Sequence, residues 1–446
     1  MAEGHFCAST NELSPSTDTI GCSAPSVLMR AEEDLRQGME ASENDSRPRA
    51  EARPRWRWHL LGKAPEAKAM RVLLNITPEE LQGGGGDLMV YRNWLGLSDE
   101  RLTFHTIPPS WRRRAQAFVR KACDKLARRW EPAPLRRALL LAARALSLPR
   151  DVADADLILS HICFPIPTPR LPVIWSSQGI APATYYERCG QWSVEDVIFL
   201  YRVLGPQARA LLIATESGAR HLLRWCPELE EKVHIVPVPV LVPPDIPETK
   251  PSQHDGILRL LFVGLDPILK GLPELLRAYD WLKRKHAHLR LDVVTRGFDR
   301  KTWEQMGGTN GPPDGEDLRI HPPLPHERIF ALMREADLFI SPTHAETYGL
   351  AAVEAMAHRC AVIISNFDPL PELFPEGEVG FLIAPGDVRG LIERLEAVIS
   401  NRALLRQFQE NARRRYLAAH DPARVRRRLE EVFERVRAQA RSDPDV

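Results

Sequence analysis

The stretch Leu338-Phe339-Ile340-Ser341-Pro342-Thr343-His344-Ala345-Glu346-Thr347-Tyr348-Gly349-Leu350-Ala351-Ala352-Val353-Glu354-Ala355-Met356-Ala357 decides how this chain is read. A short apolar run ending at Ser341 has the pattern of a buried strand, a polar loop follows, and an apolar helix opens near Gly349. Unpaired N–H groups at such a helix start make an anion site suited to phosphate. Glu346 stands in the loop and Glu354 inside the helix, roughly 7 Å further along at ~1.5 Å per residue. That separation suits a ligand with phosphates over the helix end and polar sugar rings to either side. Glu354 is also the one polar side chain from Gly349 to Ala357. Burying it requires a hydrogen-bond donor, either a ligand or a structural partner such as Arg359, unless it faces solvent.

A second strand-loop-helix junction precedes it: Phe262-Val263-Gly264-Leu265-Asp266-Pro267-Ile268-Leu269-Lys270-Gly271, with Pro273 suited to the first helical turn. A lysine just before a helix start is mildly disfavoured by the helix dipole. Lys270 is therefore either an ordinary exposed loop residue or a cation that shares an anion with the helix. Around these junctions the pattern predicts strands over 258–263, 289–295, 317–321, 338–341, 361–365 and 380–383. Helices are expected between them, over 273–286, 326–336, 349–357 and 387–400. Such alternation means a parallel, doubly wound sheet. Earlier in the chain, 71–76, 157–159, 172–175 and 211–214 are short apolar runs of the same kind. The expected organisation is a disordered tail (1–69), a first Rossmann-like domain (70–240), a Pro-rich linker (241–256), a second Rossmann-like domain (257–418) and a C-terminal helix (419–446) packing back on the first.

Taken together these residues resemble the retaining GT-B glycosyltransferases of family 4 (glycosyl transferases group 1), whose mark is the pattern E-x-[FY]-G-L-x-x-x-E-A-M-A. Here it reads Glu346-Thr347-Tyr348-Gly349-Leu350 through Glu354-Ala355-Met356-Ala357. Val263-Gly264 to Lys270-Gly271, Pro371-Glu372-Leu373 and Gly380-Phe381-Leu382-Ile383 match as well. The resemblance is close over 258–400 and diffuse over 70–240. It implies an α/β GT-B fold, two Rossmann-like domains facing across a cleft, and transfer of a sugar from a nucleotide-sugar without metal or cofactor. By the same resemblance Glu346 contacts the donor sugar and Glu354 the ribose. Lys270 neutralises the leaving diphosphate, helped by backbone N–H groups of Tyr348, Gly349 and Leu350 and by the Gly264 loop. The chain departs from the family at Leu265, where many members carry Arg, and Arg296 is a candidate replacement. It departs again at Gln178, where many relatives place a His, for which His161 is a candidate substitute. The glycine-rich loop Gly83-Gly84-Gly85-Gly86-Asp87 allows close backbone approach to a ligand. Gly84, Gly85 and Gly86 are expected to line the acceptor side, and Asp87 to cap the following helix.

Composition restricts the alternatives. With 60 Lys and Arg against 59 Asp and Glu, the net charge of +1 gives no general attraction to nucleic acid. The seven cysteines show no zinc-ligand spacing, which suits a reducing cytoplasmic setting. No apolar run approaches the ~20 residues of a membrane span. The segment 111–150 is strongly basic, with Trp111, Phe118, Leu126 and Trp130 at helical spacing beside Arg112, Arg113, Arg120, Lys121, Lys125, Arg128 and Arg129. It reads either as a helix lying on an anionic membrane surface or as a core-facing helix with a solvated basic back. The acceptor is expected to be an envelope polysaccharide, another glycan or a lipid-linked molecule. A GT-B nucleotide-sugar epimerase and a non-catalytic sugar-binding subunit also fit these residues.

Overall fold

The computed structural model describes residues 69–107 (without 77, 79 and 83–85), 118–119, 122–123, 126, 136–139, 141, 155–161, 171–189, 193–305 and 316–442. All of them belong to one compact unit, residues 65–446. The expected tail and most of the basic segment lie outside the described residues.

Two sheets are built in succession. The first contains β1 (Met70–Leu74), β2 (Leu102–Thr106), β3 (Leu157–His161), β4 (Val173–Ser177), β5 (Ala210–Ile213) and β6 (Val233–Ile235), in the order β2-β1-β3-β4-β5-β6. The second contains β7 (Leu258–Val263), β8 (Leu289–Val294), β9 (Leu318–His321), β10 (Leu338–Ser341), β11 (Ala361–Ser365) and β12 (Gly380–Ile383), in the order β12-β11-β10-β7-β8-β9. Every pairing is parallel. Strands β3, β4, β5, β10 and β11 are buried at every position. This is the burial expected of strands covered by helices on both faces. β2 and β6 escape the sequence pattern because each is only partly buried and polar residues interrupt its apolar ones.

The helices that position the site are α1 (Gly86–Leu95), α2 (Ala183–Cys189), α3 (Val194–Leu204), α4 (Glu216–Trp225), α5 (Leu272–Lys283), α6 (His326–Glu335), α7 (Leu350–Ala357), α8 (Val388–Ser400), α9 (Arg402–Ala419) and α10 (Pro422–Ser442). The C-terminal helical segment breaks at His420-Asp421, and Pro422, which cannot donate a backbone hydrogen bond, starts α10. α10 lies on the first domain, where Arg426 pairs with Asp99 and the Phe433 and Phe104 rings meet at 6.2 Å. The chain therefore passes between domains twice. The first passage is extended but well anchored. Val238 and Val240 are buried, the Tyr416 hydroxyl donates to the Val240 carbonyl at 2.7 Å, and Lys250 is 3% exposed. The Lys250 ammonium donates to the Met333 and Arg334 carbonyls at 2.8 and 3.3 Å, serving the C-terminal end of α6.

In each sheet the earliest strand has neighbours whose connections leave in opposite directions: β1 between β2 and β3, and β7 between β8 and β10. The loops leaving the C-terminal ends of strands diverge at such a point and leave a crevice, the usual ligand position in open α/β sheets.

Candidate active site

At the β7/β10 switch point the two loops are laced together. A Cβ on Gly264 would lie 2.8 Å from Cβ and Cγ of Lys270, so the lysine stem crosses the strand end only because this residue is glycine. Gly271 has φ 75°, and a side chain there would meet the Pro342 carbonyl at 2.0 Å. This closeness lets the His344 N–H donate to the Leu269 carbonyl at 2.8 Å. Lys270 Nζ then reaches the Ala345 carbonyl at 3.3 Å and Glu346 Oε2 at 2.9 Å. Glu346 Oε1 accepts the N–H groups of Thr347 (2.9 Å) and Tyr348 (3.4 Å). Burial alone would raise the Glu346 carboxyl, but the Lys270 charge and these hydrogen bonds outweigh it and hold the group below its ordinary value. The side chains keep about a quarter of their exposure, 25% for Lys270 and 21% for Glu346, so an incoming ligand can reach both. Gly349, at φ 76°, starts α7 with no side-chain cap. The first N–H groups of α7 are left for an anion in the same crevice.

Glu354 is 6% exposed. Its Oε1 lies 2.9 Å from His326 Nε2 at the first residue of α6. Burial would lower the His326 imidazole, but Glu354 and Glu327 outweigh it and hold the ring above its usual range. The structural partner expected from the sequence was Arg359; His326 takes that place, because α6 starts beside the middle of α7. A carboxylate with one oxygen so engaged still has acceptor capacity for a hydroxyl. The role expected of Tyr348 lies in its backbone N–H, and its side chain is committed elsewhere. The ring is 2% exposed, and its hydroxyl accepts the Val238 N–H at 3.0 Å and meets His420 Nδ1 at 3.1 Å. Tyr348 thus ties the loop to both interdomain passages.

The remaining expected residues are spread more widely. Arg296 is exposed in the turn after β8, beside the Gly264 loop, whose N–H donates to the Val294 carbonyl at 3.0 Å. Leu265 is 38% exposed at the same rim. Gln178 follows β4 and lines a cavity with Ser217, His221, Thr347 and Asp368, so the first domain meets the Glu346 loop there. His161 does not line the cleft. It is 2% exposed, its ring contacts the edges of Tyr91 and Trp94 at 6.0 and 5.6 Å, and burial lowers its pKa to about 3. Gly86 opens α1, while Gly84 and Gly85 lie outside the described residues.

The sequence pattern does not anticipate α2 either. α2 has no buried residue and so no strong apolar periodicity, yet it touches the Glu346 loop from the first domain. Arg188 Nη1 donates to the His344 carbonyl at 2.5 Å. Burial, then Cys189 and Glu346 nearby, push the Tyr185 hydroxyl far up. Among the described residues no group of three or more His, Cys, Asp or Glu is placed to hold a metal.

Comparison with known proteins agrees with this geometry. Residues 249–415 match the family described as Glycosyl transferases group 1. Over 175 residues the chain is 28% identical to the glycogen synthase of Mycobacterium tuberculosis (strain ATCC 25618 / H37Rv), which is 39% of this chain and 40% of that protein. Over 162 residues it is 32% identical to the phosphatidyl-myo-inositol mannosyltransferase of Mycobacterium leprae (strain TN), 36% of this chain and 40% of that one. The matches therefore span about two fifths of these relatives. Among solved structures, sucrose-phosphate synthase from Thermosynechococcus elongatus superposes with a TM-score of 0.57 at 13% identity, over 83% of this chain and 100% of that one. Anabaena HepE in complex with UDP-glucose superposes with a TM-score of 0.54 at 14% identity, over 82% and 99%. The chain has the GT-B fold, and residues 249–415 match the glycosyl transferases group 1 family.

Proposed function

We propose that the chain is a retaining glycosyltransferase of family 4, moving a sugar from a UDP-, GDP- or similar nucleotide-sugar to a hydroxyl of a glycan, envelope polysaccharide or lipid-linked acceptor. The observation that carries this reading is the Lys270–Glu346 pair, 2.9 Å apart beside the uncapped start of α7. In the reaction the bond from the anomeric carbon to the diphosphate oxygen breaks, the acceptor oxygen bonds to that carbon on the same face, and the acceptor proton passes to the departing diphosphate. Lys270 and the α7 N–H groups stabilise the charge that develops on the leaving diphosphate, and Glu346 holds the donor sugar. Glu354, oriented by His326, takes the ribose. HepE, which shares the fold, binds UDP-glucose, which supports a nucleotide-sugar as donor here. A panel of nucleotide-sugars tested by thermal shift and by nucleotide release, with and without acceptor, checks the reading. Release of nucleotide from at least one donor is expected. Binding without release would favour a sugar-binding subunit, and interconversion of free sugar nucleotides an epimerase.

A membrane-surface position for the basic segment is a further part of the proposal. Phe118 is 75% exposed and Leu126 44%, so apolar side chains do face outward there. Arg136 and Arg137 belong instead to the fold, pairing with the buried Asp196 at 2.8 and 3.5 Å. Co-sedimentation with anionic vesicles at low salt, lost as salt rises, is expected; wild-type protein left in the supernatant would refute it.

A further inference from the structure

The Pro371-Glu372-Leu373 motif plays no part in donor binding as described, yet its carboxylate crosses to the other domain. Glu372 Oε1 accepts the Glu216 N–H and Oε2 the Ser217 N–H, each at 2.8 Å. These are the first two N–H groups of α4, and the third turn-forming donor, Gly218 N–H, is taken by the Thr215 side chain at 3.0 Å. A carboxylate aligned on two N–H groups at a helix start gains from both hydrogen bonds and dipole. The motif is fixed from its own side: Arg415 in α9 donates to the Glu372 and Leu373 carbonyls. Nearby, His221 of α4 lies 3.5 Å from Asp368, which stands just before the short helix Leu370–Leu373 that carries Glu372. Between this contact and Glu346 lies the cavity lined by Gln178, Ser217, His221, Thr347 and Asp368.

We infer that Glu372 is a positioning residue that clasps the two domains in register across the donor site, setting how Gln178 and α4 face the Glu346 loop. It touches no reacting atom. It acts by holding the acceptor-side wall at a fixed distance from a donor bound by the second domain. This role rests on the transferase reading, but the contact itself does not, and the two are separated in the test.

The experiment compares wild type with Glu372→Ala and the near-isosteric Glu372→Gln, which retains one acceptor oxygen. Hydrogen–deuterium exchange is read at the Glu216 and Ser217 amides, and small-angle scattering reads domain separation, both without substrate. Exchange at those two amides should rise about tenfold or more in Glu372→Ala and less in Glu372→Gln, as expected for loss of charge-assisted hydrogen bonds. The radius of gyration should increase, while isothermal titration with uridine and guanosine diphosphate gives a wild-type Kd. In turnover, acceptor KM should rise and kcat fall about tenfold with donor KM unchanged. Unchanged exchange and scattering would overturn the clasp. Altered exchange with unchanged acceptor KM and kcat would overturn the positioning role. Absence of any wild-type turnover would count against the transferase reading, while exchange and scattering still decide the clasp.

Discussion

The two domains share a parallel sheet with a crevice beside its earliest strand, but they fill that crevice in opposite ways. At β1/β3 the Asn75 amide donates to Ser160 Oγ at 3.1 Å, the Tyr91 hydroxyl accepts the His161 N–H at 2.7 Å, and the Trp94 and Tyr91 rings meet edge to face at 5.5 Å. Among the described residues that switch point is packed as core, and its histidine is held neutral by burial. At β7/β10 glycines keep the place open and a lysine–glutamate pair stands in it, still partly exposed. Topology therefore offers two equivalent positions for a ligand, and on the proposed reading side-chain chemistry selects the second. The first domain contributes instead through elements that reach over the second: α2 through Arg188, the turn after β4 through Gln178, and the start of α4 through Glu216 and Ser217.

The strongest way to break this comparison is to remove Glu346. Glu346→Ala takes away the proposed donor-sugar contact and leaves Lys270 without its carboxylate partner. Turnover should fall by more than about 10³-fold with the fold intact, since the residue lies in a loop. Circular dichroism and thermal unfolding beside turnover would check it. Lys270→Ala comes next, with a loss of about 10²–10³-fold, the usual scale for one electrostatic stabiliser of developing charge. Lys270→Arg should recover only part of it, because a planar fork does not replace a point charge in a space shaped by Gly264. Equal turnover in Lys270→Ala would move the leaving-group role to another cation, with Arg296 and Arg188 the first to test.

The Glu354–His326 pair gives a smaller, pH-dependent effect. The folded imidazole is raised above its unfolded value near ~6.5. Its contribution to stability is therefore complete below about pH 6.5 and is lost as pH rises through the folded value. Wild-type Tm should fall across that window relative to Glu354→Gln, in which the charge partner is gone. Parallel profiles would show that the pair is not charged. The smallest effect belongs to the packed crevice: His161→Phe should change turnover less than about twofold while altering stability by about 1–2 kcal/mol. A large loss of turnover without loss of stability would mean that the first switch point also handles substrate.

How much was legible follows the same division. The β7 and β10 junctions were readable because a buried parallel strand, a glycine-bearing loop and an apolar helix each leave a local signature, and Lys270, Glu346 and Glu354 sit inside it. β2 and β6 were not, since polar residues interrupt their apolar ones and each strand is only partly buried. α2 was not, since a helix over a cleft buries no face. His326 could be found only from the unpaired carboxylate: an apolar helix with one buried Glu demands a donor, but sequence does not say from where. Glu372 was visible as a family motif, while its partner, the backbone of α4, has no side-chain signal at all.

The central claim is that the charged switch point of the second domain performs sugar transfer. It is tested most directly by incubating wild type and Glu346→Ala with a panel of labelled nucleotide-sugars and candidate acceptors and measuring nucleotide release and glycosylated product together. The account predicts that wild type converts at least one donor, with one nucleotide released per sugar transferred, and that Glu346→Ala remains folded but is at least about 10³-fold slower. Equal product formation by Glu346→Ala, or a panel in which no nucleotide-sugar is consumed by wild type, would contradict it.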